Sequence, residues 1–215
     1  MRDSARFISG TDEAGRGCII GPLVVATVML DRRAAKHLKS LGARDSKRLS
    51  PKKRNDLAPV IKRLSRSFEV TLVPPSLIDS YVMRRQKFNT LNKLEAEVFA
   101  SHLAELKPRR AYMDSPYANA KMFAKMVRSE LPKRMRIRLM AETKADENRI
   151  EVSCASILAK VTRDDAIADL RQVFGNFGSG YPSDVRTRNF LRSIPKETEM
   201  ARHLRWSWRT WNRLK

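Results

Sequence analysis

"RFISGTDEAGRGCIIGPLVVATVML", residues 6 to 30, opens and closes on apolar and β-branched residues, with glycines, a proline and two adjacent carboxylates between them. That composition predicts two strands, "RFISG" and "LVVATVML" (23–30), joined by a Gly-rich turn. Asp12 and Glu13 are then expected at the end of the first strand. Neighbours in a regular strand point to opposite faces; just past the strand end, where the chain turns, both can reach one site.

Outward from this pair, strands and helices alternate. "DRRAAKHLKSLG" and "SPKKRNDLAPVIKRLSR" carry helical periodicity, the second with Ser50 as N-cap and Pro51 at the first helical position, and "ARDSKRLS" is the loop between them. "FEVTLV" alternates as a third strand, Pro74-Pro75 punctuates, and "TLNKLEAEVFASHLAEL" reads as an amphipathic helix. "RAYMDS" predicts a short strand ending in Asp114, residues 118–130 a helix, and "RMRIRLMAE" a fifth strand. "KADENR" is then a loop into a helix over about 151–173. The tail holds "FGSGYPSD", a helix near 183–194, and "ARHLRWSWRTWNRLK", which has five cations, three tryptophans and no acid. The expected organisation is an α/β catalytic domain over 1–175 and a C-terminal helical, substrate-binding extension over 176–215.

The chain has 215 residues and a formal net charge of +21. Such an excess of cations favours a polyanionic partner, nucleic acid first, and selects a partner class without specifying chemistry. Cys18 and Cys154 are too few and too far apart for a disulfide framework or a Cys-based zinc site. No apolar signal core or spanning segment is visible, so a protein of the cytoplasm with no membrane partner is expected. P-loop, zinc and Ser or Cys nucleophile motifs are missing. His37, His102 and His203 read as surface or half-buried structural residues.

Asp12 and Glu13, Asp114 and Asp146 each follow a predicted strand, so three strand ends deliver acid to one end of a sheet, where sites in α/β folds gather. Each acid has a structural alternative: a helix cap for Asp12 and Asp146, an Asx-turn for Asp114. Together, four carboxylates in so basic a chain suit hard divalent cations bound by oxygen, Mg²⁺ or Mn²⁺, shared with phosphate oxygens. Two such ions about 3.5 to 4 Å apart activate water and stabilise the leaving oxygen of a phosphodiester. In the helix after Asp146, Ser153, Ser156, Lys160, Arg163 and Asp164 form one polar stripe, which periodicity alone leaves open as a solvated face or a contact surface.

"DEAGRG" (12–17), "RDSKRLS" around Lys47, "TLN" (90–92), "YMDS", "KAD" (144–146), "SCASILAKVTRD" (153–164) and "GSGYPSD" (178–184) follow the order and spacing of type 2 ribonuclease H, ribonuclease HII. The resemblance runs from about residue 7 to the C-terminus, and "LRWSWRT" (204–210) looks most like the archaeal and eukaryotic branch. It implies a ribonuclease H-like α/β fold with a five-stranded mixed sheet flanked by helices. It also implies a metal-dependent endonuclease of DNA replication and repair. Such an enzyme cuts the RNA strand of RNA/DNA hybrids, and cuts 5′ of single ribonucleotides in duplex DNA, leaving 3′-OH and 5′-phosphate ends.

By the same resemblance Asp12, Glu13, Asp114 and Asp146 are the metal-binding catalytic tetrad. Gly15, Arg16 and Gly17 grip the ribonucleotide at its 2′-OH, and Tyr181 stacks on the following sugar. Lys47 contacts phosphate, Asn92 the substrate strand, and Arg163, Ser156 and Lys160 the backbone. Arg205 and Thr210 touch the nucleic acid, while Trp206, Trp208 and Trp211 seat the tail helix. Cys18 departs from a common proline, "ENRIEVSCAS" from the usual aromatic-proline approach to the helix, and Cys154 from an alanine. No terminal sliding-clamp box is visible, and a monomer is the default. The rivals are a catalytically silent basic binding module of the same fold, and a related nuclease that cuts pure DNA.

Overall fold

The computed structural model describes residues 7–44, 46–83, 90–195 and 198–213. Asp45 of the expected loop and the last two residues of the tail lie outside them. Five strands form one mixed sheet: β1 (Ile8–Ala14), β2 (Leu23–Leu30), β3 (Ser67–Val73), β4 (Arg110–Asp114) and β5 (Arg138–Glu142), in the order β3-β2-β1-β4-β5. The β1–β2 and β2–β3 pairs are antiparallel, whereas β4 lies parallel to both β1 and β5. The expected five-stranded mixed sheet is the one observed.

Helices cover both faces of the sheet. α1 (Arg32–Ser40), α2 (Pro51–Leu64) and α7 (Ile150–Phe174) share one core with Val24, Ala26 and Val28 of β2. α4 (Leu91–Leu106) and α5 (Ala120–Glu130) cover the other face, on Val25, Ala111 and Met113. The period-two assignment of β2 side chains to the two cores is what a strand buried on both faces requires. Ser50 caps α2 by accepting from Lys53 N at 3.2 Å, with Pro51 in the first helical position. α7 is the central helix: Cys154, Ala155, Ile157, Leu158 and Ala159 are all buried.

α7 lies on β1 at backbone contact. A methyl group on Gly10 would sit 2.1 Å from the carbonyl carbon of Glu151 and 2.2 Å from Val152 N, so no side chain fits between strand and helix there. On the other face His102 of α4 is buried and bonded to the Thr27 hydroxyl at 3.0 Å and the Thr71 hydroxyl at 2.7 Å. Burial pushes its imidazole down to about 4 and keeps it neutral.

Three segments differ from expectation. Asp12 and Glu13 belong to β1 itself rather than to the turn after it. Both still reach one site because β1 pairs with β4 only from Ile8 to Thr11, which leaves the β4 side of β1 open beyond that point. Residues after Pro74 form a helix, α3 (Pro75–Met83), where only punctuation was expected; proline at a first helical position starts helices as readily as it ends them. The tail after α8 (Val185–Ser193) is built of two 3-10 turns, Glu199–His203 and Arg209–Arg213, with Leu204 bridging to Ile20 between them. A continuous tail helix is ruled out because Asp79 of α3 accepts from Trp206 N at 2.8 Å and Ser207 N at 3.0 Å, holding the chain bent. The remaining short helix, α6 (Ala145–Asn148), carries Asp146.

Candidate active site

Ligand-capable oxygens of Asp12, Glu13 and Asp114 lie within 4.8 Å of one another. Asp12 is buried, and the other two are half-buried. Asp12 Oδ1 accepts from Glu13 N at 2.8 Å, and Asp114 Oδ1 accepts from Ala145 N at 2.7 Å, so each carboxylate has one oxygen oriented by backbone. Glu13 Oε2 is buried with no hydrogen-bond partner among the described residues.

Asp146 stands beside the three rather than among them. It is 2 % exposed; its Oδ2 accepts from the Ser46 hydroxyl at 3.4 Å and lies 3.6 Å from Lys47 Nζ, while its Oδ1 is buried without a partner among the described residues.

Packing these acids together is costly without a cation. Burial, then the charges of Glu13 and Asp114, hold the Asp12 carboxyl well above the usual carboxylate range. Burial, then Glu95 and Asp114, push Glu13 up to about 8. Asp114 is raised by burial and held back in part by the Ala145 N–H. Lowering these values again takes positive charge among the oxygens, and Glu13 Oε2, buried in the cluster without a partner among the described residues, is an oxygen that a hard cation would satisfy. The donor set, all carboxylate, fits Mg²⁺ or Mn²⁺ and excludes soft-metal preference.

Beside the acids is a cleft of about 430 Å³, lined in part by Glu13, Gly15, Arg16, Gly17, Lys47, Lys160, Arg163 and Tyr181. Sequence reasoning brings these eight to one place, and the fold does so from β1, α7 and three loops. The two glycines differ in kind. Gly15 has φ +82° and its missing Cβ would meet Pro22 O at 2.8 Å, so the fold itself demands it. Gly17 has no such demand: a Cβ there would touch only the Tyr181 ring, at 3.7 Å, in ordinary contact. What a side chain at 17 would fill is the space over Tyr181, in the cleft.

Several expected contact residues also brace the cleft. Arg16 donates to Glu95 Oε1 at 2.8 Å and to Asn92 Oδ1, tying the Gly-Arg-Gly loop to the first turn of α4. Arg163 donates to Ser179 O at 2.6 Å, to Asp164 at 2.7 Å and to Cys18 Sγ at 3.1 Å, and its guanidinium lies 4.6 Å from the Tyr181 ring centre. Cys18, where a proline was the common residue, thus accepts a bond that proline could not. The polar stripe of α7 is not a solvated face: Ser153, Ser156 and Arg163 are buried.

Two of the expected contact residues lie inside the protein. Ser156 is fully buried, sharing hydrogen bonds with Ser46 at 2.8 Å and with Lys160. Arg205 is fully buried as well, donating to Gly21 O at 3.2 and 3.1 Å and to Arg16 O at 3.0 Å, with Trp208 over its guanidinium at 4.9 Å. It holds the 16–21 backbone from behind instead of facing solvent. Thr210 lies half-buried in the last 3-10 turn, outside the cleft. Trp206 and Trp211 stack at 4.5 Å, in keeping with a packing role.

Sequence reasoning missed Glu95 and Ser46. Glu95 is fully buried with Arg16, its carboxyl pushed up to about 7 by burial against the pull of that guanidinium. Its signal was an acid three residues after Asn92 on the apolar side of α4. Ser46 accepts from Lys160 Nζ at 2.8 Å and joins Asp146 to Ser156, a bridge across 110 residues of chain that no local pattern announces.

The family model described as ribonuclease HII matches residues 9–211. Ribonuclease HII of Thermococcus sibiricus is 43% identical over 209 residues, covering 94% of this chain and 88% of its own length. The crystal structure of ribonuclease H2 from Pyrococcus horikoshii OT3 superposes with a TM-score of 0.83 at 37% identity, over 97% of this chain and 96% of that one. Ribonuclease HII of Archaeoglobus fulgidus, solved in complex with PCNA, gives 0.82 at 38% identity over 94% and 95%.

Proposed function

The chain belongs to the ribonuclease HII family, metal-dependent ribonucleases H, and on that premise we propose that it cuts 5′ of single ribonucleotides in duplex DNA as well as the RNA strand of RNA/DNA hybrids. The observation that carries this reading is the juxtaposition of three clustered carboxylates with a cleft lined by Gly-Arg-Gly and Tyr181. The acids supply a place for chemistry on phosphate; the cleft supplies a place to test a sugar.

Asp12, Glu13 and Asp114 would hold the divalent cations, with Asp146 at their flank. Two cations held there would activate the attacking water and offset charge on the leaving 3′ oxygen, giving 3′-OH and 5′-phosphate products. The protein's own groups do the rest. Lys47 faces Asp146, Asp114 and Asp12 together and places a positive charge where a phosphate would approach. Lys160, fixed by Ser46 and Ser156, offers a second cation on the same wall.

Tyr181 is held flat by the Arg163 guanidinium, and burial pushes its hydroxyl up to about 12, so it remains a neutral donor at physiological pH. Gly17 carries no side chain beside the ring, which would let a ribose at the cleft come close enough for main-chain groups to reach its 2′-OH, the feature that separates RNA from DNA.

The test is cleavage of a DNA duplex carrying one ribonucleotide, beside all-DNA and RNA/DNA hybrid duplexes, in Mg²⁺ and in Mn²⁺. Cutting of the first and third but not the second is expected. Asp146→Asn should lower the rate by at least tenfold, and an undiminished rate would remove Asp146 from the tetrad. Tyr181→Ala should narrow the gap between ribonucleotide-containing and all-DNA duplexes; an unchanged gap would sink the sugar test.

A further inference from the structure

The strands that bring the acids together have a second end. β1, β4 and β5 run parallel, so their first residues, Ile8, Arg110 and Arg138, line up across the end of the sheet opposite the carboxylates. Arg110 and Arg138 are direct cross-strand partners and both are exposed. Like charges placed directly opposite one another weaken a strand pair. The fold accepts that cost with no local compensation: neither guanidinium has a hydrogen bond or ion pair among the described residues.

These two open into a cavity of about 740 Å³ that Arg32 and Arg109 also line. A neighbouring cavity of about 500 Å³ shares Arg109 and adds Arg134 and Arg136, with no acid in its wall. Two acids border the first cavity against four arginines: Asp31, which accepts from Ala34 N at 2.8 Å as the cap of α1, and Glu151, which is 8 % exposed. The result is a band of exposed guanidinium groups around two concave surfaces, with no ion pair to an acid among the described residues.

We propose that this end of the sheet is a second nucleic-acid docking surface, taking the phosphate backbone of a duplex segment other than the one at the carboxylates. Guanidinium forks match phosphate oxygens, and the repulsion between Arg110 and Arg138 is relieved when an anion sits between them. The surface is distinct from the cleavage site, because Arg110 and Asp114 are the opposite termini of β4, about 13 Å apart along the strand. A long duplex provides the second segment at high local concentration, so the docking surface would keep the protein on its polymer between cuts. The inference rests on the reading of the substrate as duplex nucleic acid.

The experiment compares the wild type with Arg109→Ala/Arg110→Ala/Arg138→Ala, three exposed positions outside the cleavage site. Energy transfer is measured between a donor-labelled duplex containing one ribonucleotide and an acceptor-labelled plain duplex, without divalent cation and with protein below duplex concentration. Transfer is expected with the wild type and its loss with the variant, while metal-dependent cleavage of a short duplex is unchanged. For long DNA, the slope of log affinity against log salt should become shallower by about 2.7, about 0.9 per lost phosphate contact. Absent transfer with the wild type, or transfer and slope unchanged in the variant, would overturn the proposal. So would vesicles of phosphatidylglycerol that bind the wild type but not the variant while plain duplex gives no transfer, since the surface would then be a membrane one. If transfer forms but the short duplex is never cut, the substrate reading falls and the docking surface stands.

Discussion

At the residue scale the site is defined by acids held where acids are unstable. Glu13 and Asp12 have carboxyls raised above their ordinary values, chiefly by burial, and Glu13 reaches about 8. A group whose folded value is raised stabilises the fold fully below its unfolded value, near 4.5 for Glu13, and loses that contribution as pH rises through the folded one. The metal-free protein should therefore lose stability between about pH 4.5 and pH 8, and a divalent cation should restore it. Thermal melts with and without Mg²⁺ check this: the upward shift in Tm from the cation should be larger at pH 8.5 than at pH 6, and smaller at both in Asp12→Asn. A shift independent of pH would mean that the cation binds elsewhere. The contrast between Gly15 and Gly17 belongs to the same scale. Both glycines of the Gly-Arg-Gly motif read alike, yet one is required by backbone geometry and the other is not.

At the element scale, what positions the site is the pressing of α7 onto β1. The helix was legible to within a residue at each end, from its periodicity, and the Ser50-Pro51 start of α2 from its capping chemistry. The closeness of α7 to β1 was not legible, because it depends on a glycine that local pattern presents only as a strand residue. Gly10→Ala forces a methyl group into the Glu151–Val152 backbone and should cost about 1–3 kcal/mol or more by overpacking. Urea denaturation would read this as a lower midpoint with unchanged slope, and an unaltered midpoint would mean that helix and strand separate freely. α3 was unread because its start, a Pro-Pro pair, signals a break as well as a first turn.

At the scale of the whole molecule, the tail reaches back across 189 residues to the Gly-Arg-Gly loop. Arg205 places its guanidinium on Arg16 O and Gly21 O, while Asp79 fastens the backbone of Trp206 and Ser207. Removing the guanidinium leaves buried carbonyls unsatisfied, at about 1–3 kcal/mol for each such group. Arg205→Met should thus lower stability and raise KM for a ribonucleotide-containing duplex. The Mg²⁺-dependent Tm shift should persist, since the acids lie on β1 and β4. Loss of that shift together with activity would instead place Arg205 in support of the metal site.

The α/β class, the five strands and the long helix after Asp146 were legible along the chain, as was the meeting of Asp12, Glu13 and Asp114, because each rests on local periodicity, capping or a motif spaced along the chain. The resemblance of seven motifs added the family. Only the tertiary structure decided which expected contacts face the cleft and which support it from within. Arg205 and Ser156 were indistinguishable from ligand-facing residues as letters, and Glu95 and Ser46 were not singled out at all. Whether a polar side chain meets solvent or a buried partner is settled by which elements pack around it. Their long-range hydrogen-bond partners lie from 79 to 189 positions away in the chain. The same holds for Arg110 and Arg138, ordinary surface cations in sequence, which parallel pairing alone sets side by side.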